Sequence, residues 1–269
     1  MECFGPSVET VRLAHIDEHL SLSSSLRIAI EMIRCIQAVH QNGIIHRDIK
    51  PSNFLIRRSK ANPIVIIDFG LSRRYINKEN GEELPLRDQV GYVGTNKYAS
   101  PNAYREIELK QRDDLISWLY SVIKIRTSSL PWDDLTDKNE TFNMKIKTKP
   151  EELLKHMPKQ FNQIYSLIHS LTIFDTPNYD MIIALLIQAM NENECSWYDP
   201  YDWELMSEQE IRAISPIQIT PLDPNEEPNI PKDLPLMRDP DEKKTPYVQQ
   251  ELSGDSTMED YHGGCCLII

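Results

Sequence analysis

The chain has 269 residues, which corresponds to one large or two small domains. Apolar residues make up 40% of it and charged residues 26%, an ordinary globular composition that excludes collagen-like and wholly disordered proteins. Its 41 acidic and 29 basic residues give a net charge of −12. Because nucleic-acid phosphates are bound by basic surfaces, we expect no nucleic acid among its partners.

The first element that the pattern predicts is a helix from Leu26 to His40, where apolar residues recur at spacings of three and four. The serines at 23–25 offer hydroxyl groups for an N-terminal cap. Gly43 stands where a C-terminal capping glycine belongs. The sequence therefore predicts a well-delimited helix that buries one face.

The next element is a short strand at 64–67, whose β-branched residues are typical of a strand buried on both faces. Two further helices are predicted, over residues 113–125 and 179–190. The run MIIALLI in the last of them predicts a helix buried on all sides. We therefore expect a mainly helical domain with a small β element.

The composition changes near Glu204. Eight of the 18 prolines lie between Pro216 and Pro246, and the last 54 residues contain eleven acidic and four basic residues. Apolar residues are too sparse there for their burial to offset the entropy lost on ordering. We predict a folded domain over residues 1–206 and an acidic, disordered tail over 207–269.

The longest apolar run has seven residues, whereas a membrane helix needs about 20. The N-terminus lacks the charged-then-apolar pattern of a secretory signal. Five scattered cysteines are too few for a disulfide framework: Cys3, Cys35, Cys195, Cys265 and Cys266. We therefore expect a cytoplasmic protein.

Three polar segments interrupt the hydrophobic frame: HRDIKPSN at 46–53, DFG at 68–70 and GTNKYAS at 94–100. Phosphoryl transfer needs a carboxylate near the attacking hydroxyl and positive charge on the phosphate oxygens, which Asp48 and Lys50 supply. Asn53 and Asp68 offer the oxygen ligands that Mg²⁺ prefers. Each motif alone occurs by chance, but their order and spacing together predict a protein-kinase catalytic loop.

These motifs resemble those of the eukaryotic protein kinase domain, specifically the casein kinase I superfamily and most closely its tau-tubulin kinase branch. The residues that carry the finer resemblance are GTNKYAS at 94–100 followed by Pro101 and Asn102, RDDL at 112–115, LPW at 130–132 and DPYDWE at 199–204. The resemblance implies an α+β protein kinase-like fold, of which only the mainly α-helical C-terminal lobe is expected in residues 1–206.

The resemblance also implies a role for single residues, with ATP and Mg²⁺ as cofactors. Asp48 matches the catalytic base, Lys50 the lysine on the γ-phosphate and Thr95 the residue that bridges them. Asn53 and Asp68 match the metal-binding positions. The residues expected at the adenine ring are Leu55 and the backbones of Glu2 and Phe4. His46 and Phe69 match a packed pair beneath the metal loop, held by Asp114.

The resemblance further implies protein substrates with acidic or already phosphorylated sites. Lys97 and Lys138 match a small basic cluster, with Arg73 and Arg74 nearby. An ordinary solvated basic face would give the same pattern, and both interpretations stay open.

A complete kinase also has a glycine-rich loop, a strand lysine and a helix glutamate before the hinge. This chain begins at the position that resembles the hinge, and its first lysine is Lys50. We therefore expect the N-terminal lobe to be missing from it. Either the start of the chain was assigned too late, or the product is a non-catalytic fragment.

The last four residues, CLII, fit the pattern in which the thiol of Cys266 receives a prenyl group. Because one lipid gives only marginal binding, Cys265 would have to carry a second signal, and an unmodified tail remains the alternative.

The function we expect is transfer of phosphate from ATP to protein serine or threonine, in the cytoplasm or at a membrane. The alternatives are a catalytically dead, membrane-tethered binding protein and, ranked last, a small-molecule phosphotransferase. The oligomeric state stays open.

Overall fold

The computed structural model describes residues 4–57, 59–88, 90–214 and 226–231. The described helices are α1 (Val8–Ala14), α2 (Leu22–Gln41), α3 (Pro101–Tyr104), α4 (Gln111–Thr127), α5 (Lys138–Lys147), α6 (Pro150–Leu153), α7 (Gln160–Ser170), α8 (Tyr179–Glu192) and α9 (Glu208–Ile214). The strands are β1 (Ile44–Ile45), β2 (Phe54–Ile56), β3 (Ile64–Ile66) and β4 (Arg73–Arg74). Within these ranges, no helix is long and apolar enough to cross a bilayer.

The first predicted helix is confirmed as α2, which begins earlier than expected. Its N-terminal cap is Ser21, whose hydroxyl accepts the backbone N–H of Ser24 at 3.2 Å. The serines expected to cap it lie inside the helix instead. Gly43 adopts a φ of +70° and donates its N–H to the carbonyl of His40 at 2.9 Å, which ends the helix as predicted.

The two later helices are also confirmed, as α4 and α8. The burial predicted for α8 is only partly correct, because Met181 and Ile187 are half-buried while the residues between them are buried. Helices α2, α4, α7 and α8 pack against one another around a continuous apolar core. The frame beneath the polar segments is therefore helical.

The predicted strand is confirmed as β3, and its partner is β2. The two strands form an antiparallel hairpin in which Phe54 lies opposite Ile66. A second pair joins β1 to β4. Asn53 directly precedes β2, and its carbonyl accepts the N–H of Ile67 at 2.9 Å. The hairpin thus brings the segment that ends in Asn53 beside the segment that begins with Asp68.

The DPYDWE segment returns to the start of α2. The carboxylate of Asp202 accepts hydrogen bonds from the Ser21 N–H (2.6 Å), the Ser21 hydroxyl (2.6 Å) and the Ser24 hydroxyl (2.9 Å). An acidic group at this position also complements the positive end of the helix dipole. The motif therefore closes the domain by stabilising its longest described helix.

Helix α9 lies just past residue 206, the predicted end of the folded domain. Helix α9 starts with a capping box, in which the Ser207 N–H donates to Glu210 at 2.7 Å and the Glu210 N–H donates to Ser207 at 3.3 Å. Ile214 packs against the core. Residues 226–231 are described as well, whereas Cys265 and Cys266, and the prediction of a disordered tail around them, lie outside the described residues.

Candidate active site

Asp114, in the first turn of α4, holds the HRD segment in place. Its carboxylate accepts the backbone N–H groups of His46 at 2.7 Å and Arg47 at 2.8 Å, and it also contacts His40. Burial opposes ionisation of Asp114, but the hydrogen bonds from His40 and from the His46 backbone outweigh it and lower its pKa. An ionised carboxylate inside the core therefore fixes the loop that carries Asp48.

His46 connects this loop to the end of β3. Its Nδ1 accepts the Asp48 N–H at 3.3 Å, which leaves Nε2 to donate to the Ile67 carbonyl at 3.0 Å. The imidazole meets the ring of Phe69 edge-on, with the ring centroids 5.0 Å apart. The structure thus contains the packed pair expected from the sequence and holds it, through the backbone, near Asp114.

Asp48, Lys50 and Thr95 form a closed triangle of hydrogen bonds. The Lys50 ammonium donates to Asp48 Oδ2 at 2.6 Å and to Thr95 Oγ1 at 3.1 Å. The Thr95 hydroxyl donates to Asp48 Oδ1 at 2.7 Å. The side chain of Asp48 is 6% exposed and that of Lys50 is 22% exposed. A carboxylate, a cation and a hydroxyl are therefore held together at a partly open surface.

Gly94 allows this triangle to form. Its φ is +106°, and a Cβ at this position would lie 3.0 Å from the carbonyl oxygen of Arg47. Only glycine permits both the backbone conformation and the close approach. The residue that follows it, Thr95, can consequently reach a side chain 47 positions earlier in the sequence.

Asn53 and Asp68 lie at the two ends of the β2–β3 hairpin. Asn53 Nδ2 donates to the Asp48 carbonyl at 2.9 Å, which leaves the amide oxygen as the atom suited to a metal. Asp68 is exposed and adopts a φ of +65°, a conformation that is rare outside glycine and common at functional sites. The described residues contain no cluster of three or more His, Cys, Asp or Glu side chains able to hold a metal.

This donor set fits Mg²⁺, which proteins bind through one or two oxygen ligands together with the phosphates of the substrate.

Of the three residues expected at the adenine ring, Phe4 and Leu55 are described. The Gly5 N–H donates to the Ile56 carbonyl at 2.8 Å, and Ser7 pairs with Leu55, so the segment that follows Phe4 runs along β2. Glu2 lies outside the described residues.

Comparison with known proteins agrees with this geometry. Residues 7–191 match the family model of the protein kinase domain. The chain belongs to the protein kinase family. It is 39% identical over 209 residues to a probable serine/threonine-protein kinase of Dictyostelium discoideum, covering 77% of this chain and 42% of that protein. It is 31% identical over 222 residues to the serine/threonine-protein kinase spe-6 of Caenorhabditis elegans, covering 80% and 58%. The chain thus spans about half the length of these two relatives.

The two lysines that were matched to a small basic cluster, Lys97 and Lys138, each have a contact of their own. Lys97 pairs with Asp133 at 3.0 Å, and Asp133 also binds Lys124 at 2.6 Å. The ammonium of Lys138 lies 3.9 Å from the ring centroid of Tyr92. Lys97 therefore shares a carboxylate with Lys124, and the structure places no described contact between Lys97 and Lys138.

A cluster of positive charge lies instead around Arg47, the arginine of the HRD sequence. Glu108 pairs with both Arg73 (3.1 Å) and Arg87 (2.7 Å). The pKa of Arg47 is lowered, first by burial and then by the charges of Arg87 and Arg73. Arg74 points elsewhere, donating to the Asn42 carbonyl at 3.1 Å. One carboxylate thus faces three guanidinium groups, an arrangement that the sequence pattern did not indicate.

Lys145 holds the GTNKYAS segment and was not predicted from the sequence. From α5 it donates to the carbonyls of Asn96 at 2.8 Å and Ala99 at 2.7 Å. Its ammonium lies 5.1 Å from each of three ring centroids, those of Tyr104, Tyr120 and Trp132. Burial lowers the pKa of Lys145 well below its ordinary value. Its position in a lysine-rich helix gave no signal that this lysine alone is buried.

Asp113 fixes the C-terminal end of the segment formed by residues 94–102. Its Oδ1 accepts the Ser100 hydroxyl at 2.7 Å and the Asn102 amide at 2.8 Å, and its Oδ2 accepts the Lys110 N–H at 2.9 Å. Burial raises the pKa of Asp113 despite these bonds. Residues 94–102 are therefore anchored from α4 and α5 as well as from the catalytic loop.

Proposed function

We propose that this chain carries the phosphoryl-transfer residues of a serine/threonine protein kinase of casein kinase I type, nearest to the tau-tubulin branch. It would move the γ-phosphate of ATP to a serine or threonine hydroxyl of a protein. The observation that carries this proposal is the triangle of Asp48, Lys50 and Thr95, because each member has a use in that reaction.

In this mechanism Asp48 orients the attacking hydroxyl and accepts its proton as the bond to phosphorus forms. The hydrogen bond from Thr95 keeps the Asp48 carboxylate in position. Lys50 stabilises the charge that builds up on the phosphate oxygens. Mg²⁺, held by Asn53 and Asp68, would supply further charge neutralisation when bound.

Two features support the casein kinase I assignment. The GTNKYAS segment is anchored by Lys145 and Asp113, and the DPYDWE segment caps α2 through Asp202. Both motifs that carry the finer resemblance therefore lie in segments that specific side chains hold in place. The rival function is a catalytically dead kinase-like module, which would keep the same fold.

Substrates with acidic or phosphorylated sites fit this surface, because Arg47, Arg73 and Arg87 together outnumber the single carboxylate of Glu108. Lys138, whose ammonium lies over the ring of Tyr92, carries a further positive charge. Membrane attachment through a lipid on Cys266 is a separate part of the proposal. It rests on the C-terminal sequence pattern alone.

The test uses the 269-residue chain, the variant Asp48→Asn and the control Asp134→Asn, which alters an exposed aspartate in a loop. Loss of the base should lower phosphate transfer to an acidic serine peptide by about 100-fold or more, since general bases contribute about 10²–10⁴. The melting shift with Mg·ATP should persist in all three proteins. A shift without transfer in the unaltered chain would favour the dead module, and the absence of both would contradict nucleotide use by this chain.

A further inference from the structure

A second built surface lies away from the catalytic triangle, where α2, the β2–β3 turn and the segment around Tyr198 meet. It encloses a cavity of about 160 Å³. Arg27 and Glu31 of α2 line one side, and Lys60 of the turn lines another. We call this surface the α2 groove. Residues 226–229 form a further wall of this cavity, although they belong to the stretch that composition predicts to be disordered.

Two separate elements, the β2–β3 turn and α2, hold this segment by hydrogen bonds. The carboxylate of Glu226 accepts the Ser59 hydroxyl and the Lys60 backbone N–H, both at 2.7 Å. The carbonyl of Asn229 accepts a guanidinium N–H of Arg34 at 2.7 Å. Glu227 and Tyr198 line the same cavity, and the Glu227 carboxylate raises the pKa of the Tyr198 hydroxyl.

The β2–β3 turn binds the carboxylate of Glu226 through two hydrogen-bond donors. The β2–β3 turn presents a hydroxyl and a backbone N–H side by side, and a single carboxylate satisfies both. Pro228 limits the freedom of the segment, and its carbonyl accepts the Ile230 N–H at 2.9 Å to form a tight bend. A preorganised bend loses less entropy on docking than a flexible chain does. The groove is therefore matched to an acidic segment with a proline bend.

We propose that residues 226–231 act as a latch that clamps the β2–β3 turn to α2 and closes one side of the α2 groove. The turn joins the two strands whose outer ends lead to Asn53 and Asp68. The latch thus ties the tail to the hairpin that positions these two residues. Their use as metal ligands rests on the proposed function, whereas the latch itself does not.

The latch can be opened from either side of its central contact. Glu226→Ala removes the carboxylate that bridges the turn. Ser59→Asp places a second carboxylate against Glu226, which converts an attraction into a repulsion. Glu79→Ala is the matched control, since Glu79 is exposed and its carboxylate has no hydrogen bond within the described ranges.

Hydrogen exchange of the full-length chain, read by mass spectrometry at the Lys60 amide, tests the latch without any need for catalysis. Exchange should rise by about tenfold or more in Glu226→Ala and in Ser59→Asp, because the acceptor is lost or repelled. It should stay unchanged in Glu79→Ala, and the amides of α4 should remain protected in every sample. Unchanged exchange at Lys60 in both latch variants would overturn the proposal. Failure of phosphate transfer would leave this readout intact, so the two proposals fail separately.

Discussion

His40 Nε2 lies 2.9 Å from Asp114 Oδ2 inside the core, where each side chain is 2% exposed. The other ring nitrogen of His40 lies 2.6 Å from the hydroxyl of Tyr179. The same Asp114 carboxylate accepts the backbone N–H groups of His46 and Arg47. A chain of hydrogen bonds thus runs from α8 through α2 and α4 to the catalytic loop. The position of that loop depends on three helices that are distant in sequence.

We expect Asp114→Ala to be severely destabilising. The substitution leaves the buried N–H groups of His46 and Arg47 without an acceptor, and such losses cost about 1–3 kcal/mol each. With the contact to His40 also removed, the free energy of unfolding should fall by about 3–5 kcal/mol. Urea unfolding at neutral pH measures it.

Asp134→Ala is the control for this variant, because Asp134 is exposed and loses the same chemical group. Its free energy of unfolding should stay within about 0.5 kcal/mol of the original. Equal stability of the two variants would show that Asp114 is not what holds the loop.

Sequence reasoning succeeded where a local pattern carries the information. The apolar spacing in α2 and the β-branched run in β3 each predicted an element that the structure contains. The same holds for Asp48, Lys50 and Thr95, which were expected to touch and do so. Their roles in catalysis remain predictions.

Contacts that depend on distant elements were not visible in the sequence. His40 appears there as one more position on the buried face of α2, although it is the partner of Asp114. Lys145 appears as one of several lysines in a polar helix, although only packing against α4 and the 94–100 segment gives it two buried acceptors. The order of residues 226–231 likewise depends on Ser59 and Arg34, which lie more than 160 positions earlier.

Lys145→Met tests the buried lysine while keeping most of its volume. Two hydrogen bonds to the carbonyls of Asn96 and Ala99 are lost, together with the contacts to three aromatic rings. We expect the free energy of unfolding to fall by about 2–4 kcal/mol. Lys147 is exposed and lies two residues further along α5. The control Lys147→Met should change the free energy of unfolding by less than about 0.5 kcal/mol. Chemical denaturation of both variants decides, and a similar small effect for each would contradict the role assigned to Lys145.

Glu31 gives a pH-dependent prediction. It is buried in α2 beside Arg34, with 2.6 Å between the carboxylate and the guanidinium. Burial raises the pKa of Glu31 to about 7, and the charge of Arg34 offsets this only in part. Near pH 4 the carboxyl is protonated in both the folded and the unfolded chain. Between its ordinary value of 4.5 and about 7, the unfolded chain loses the proton first, so folding stability falls as the pH rises.

Glu31→Gln removes this proton equilibrium and keeps an oxygen for Arg34. At pH 5 the variant and the original should have similar free energies of unfolding. At pH 8 the variant should be more stable by about 2–3 kcal/mol, because about 1.4 kcal/mol corresponds to each pH unit of the shift. The control Glu152→Gln changes an exposed acid and should show the same difference at both pH values. A gap for Glu31→Gln that does not widen from pH 5 to pH 8 would mean that Glu31 stays ionised in the folded chain. In that case the ion pair with Arg34, which also holds the carbonyl of Asn229, would have to outweigh the cost of burying the carboxylate.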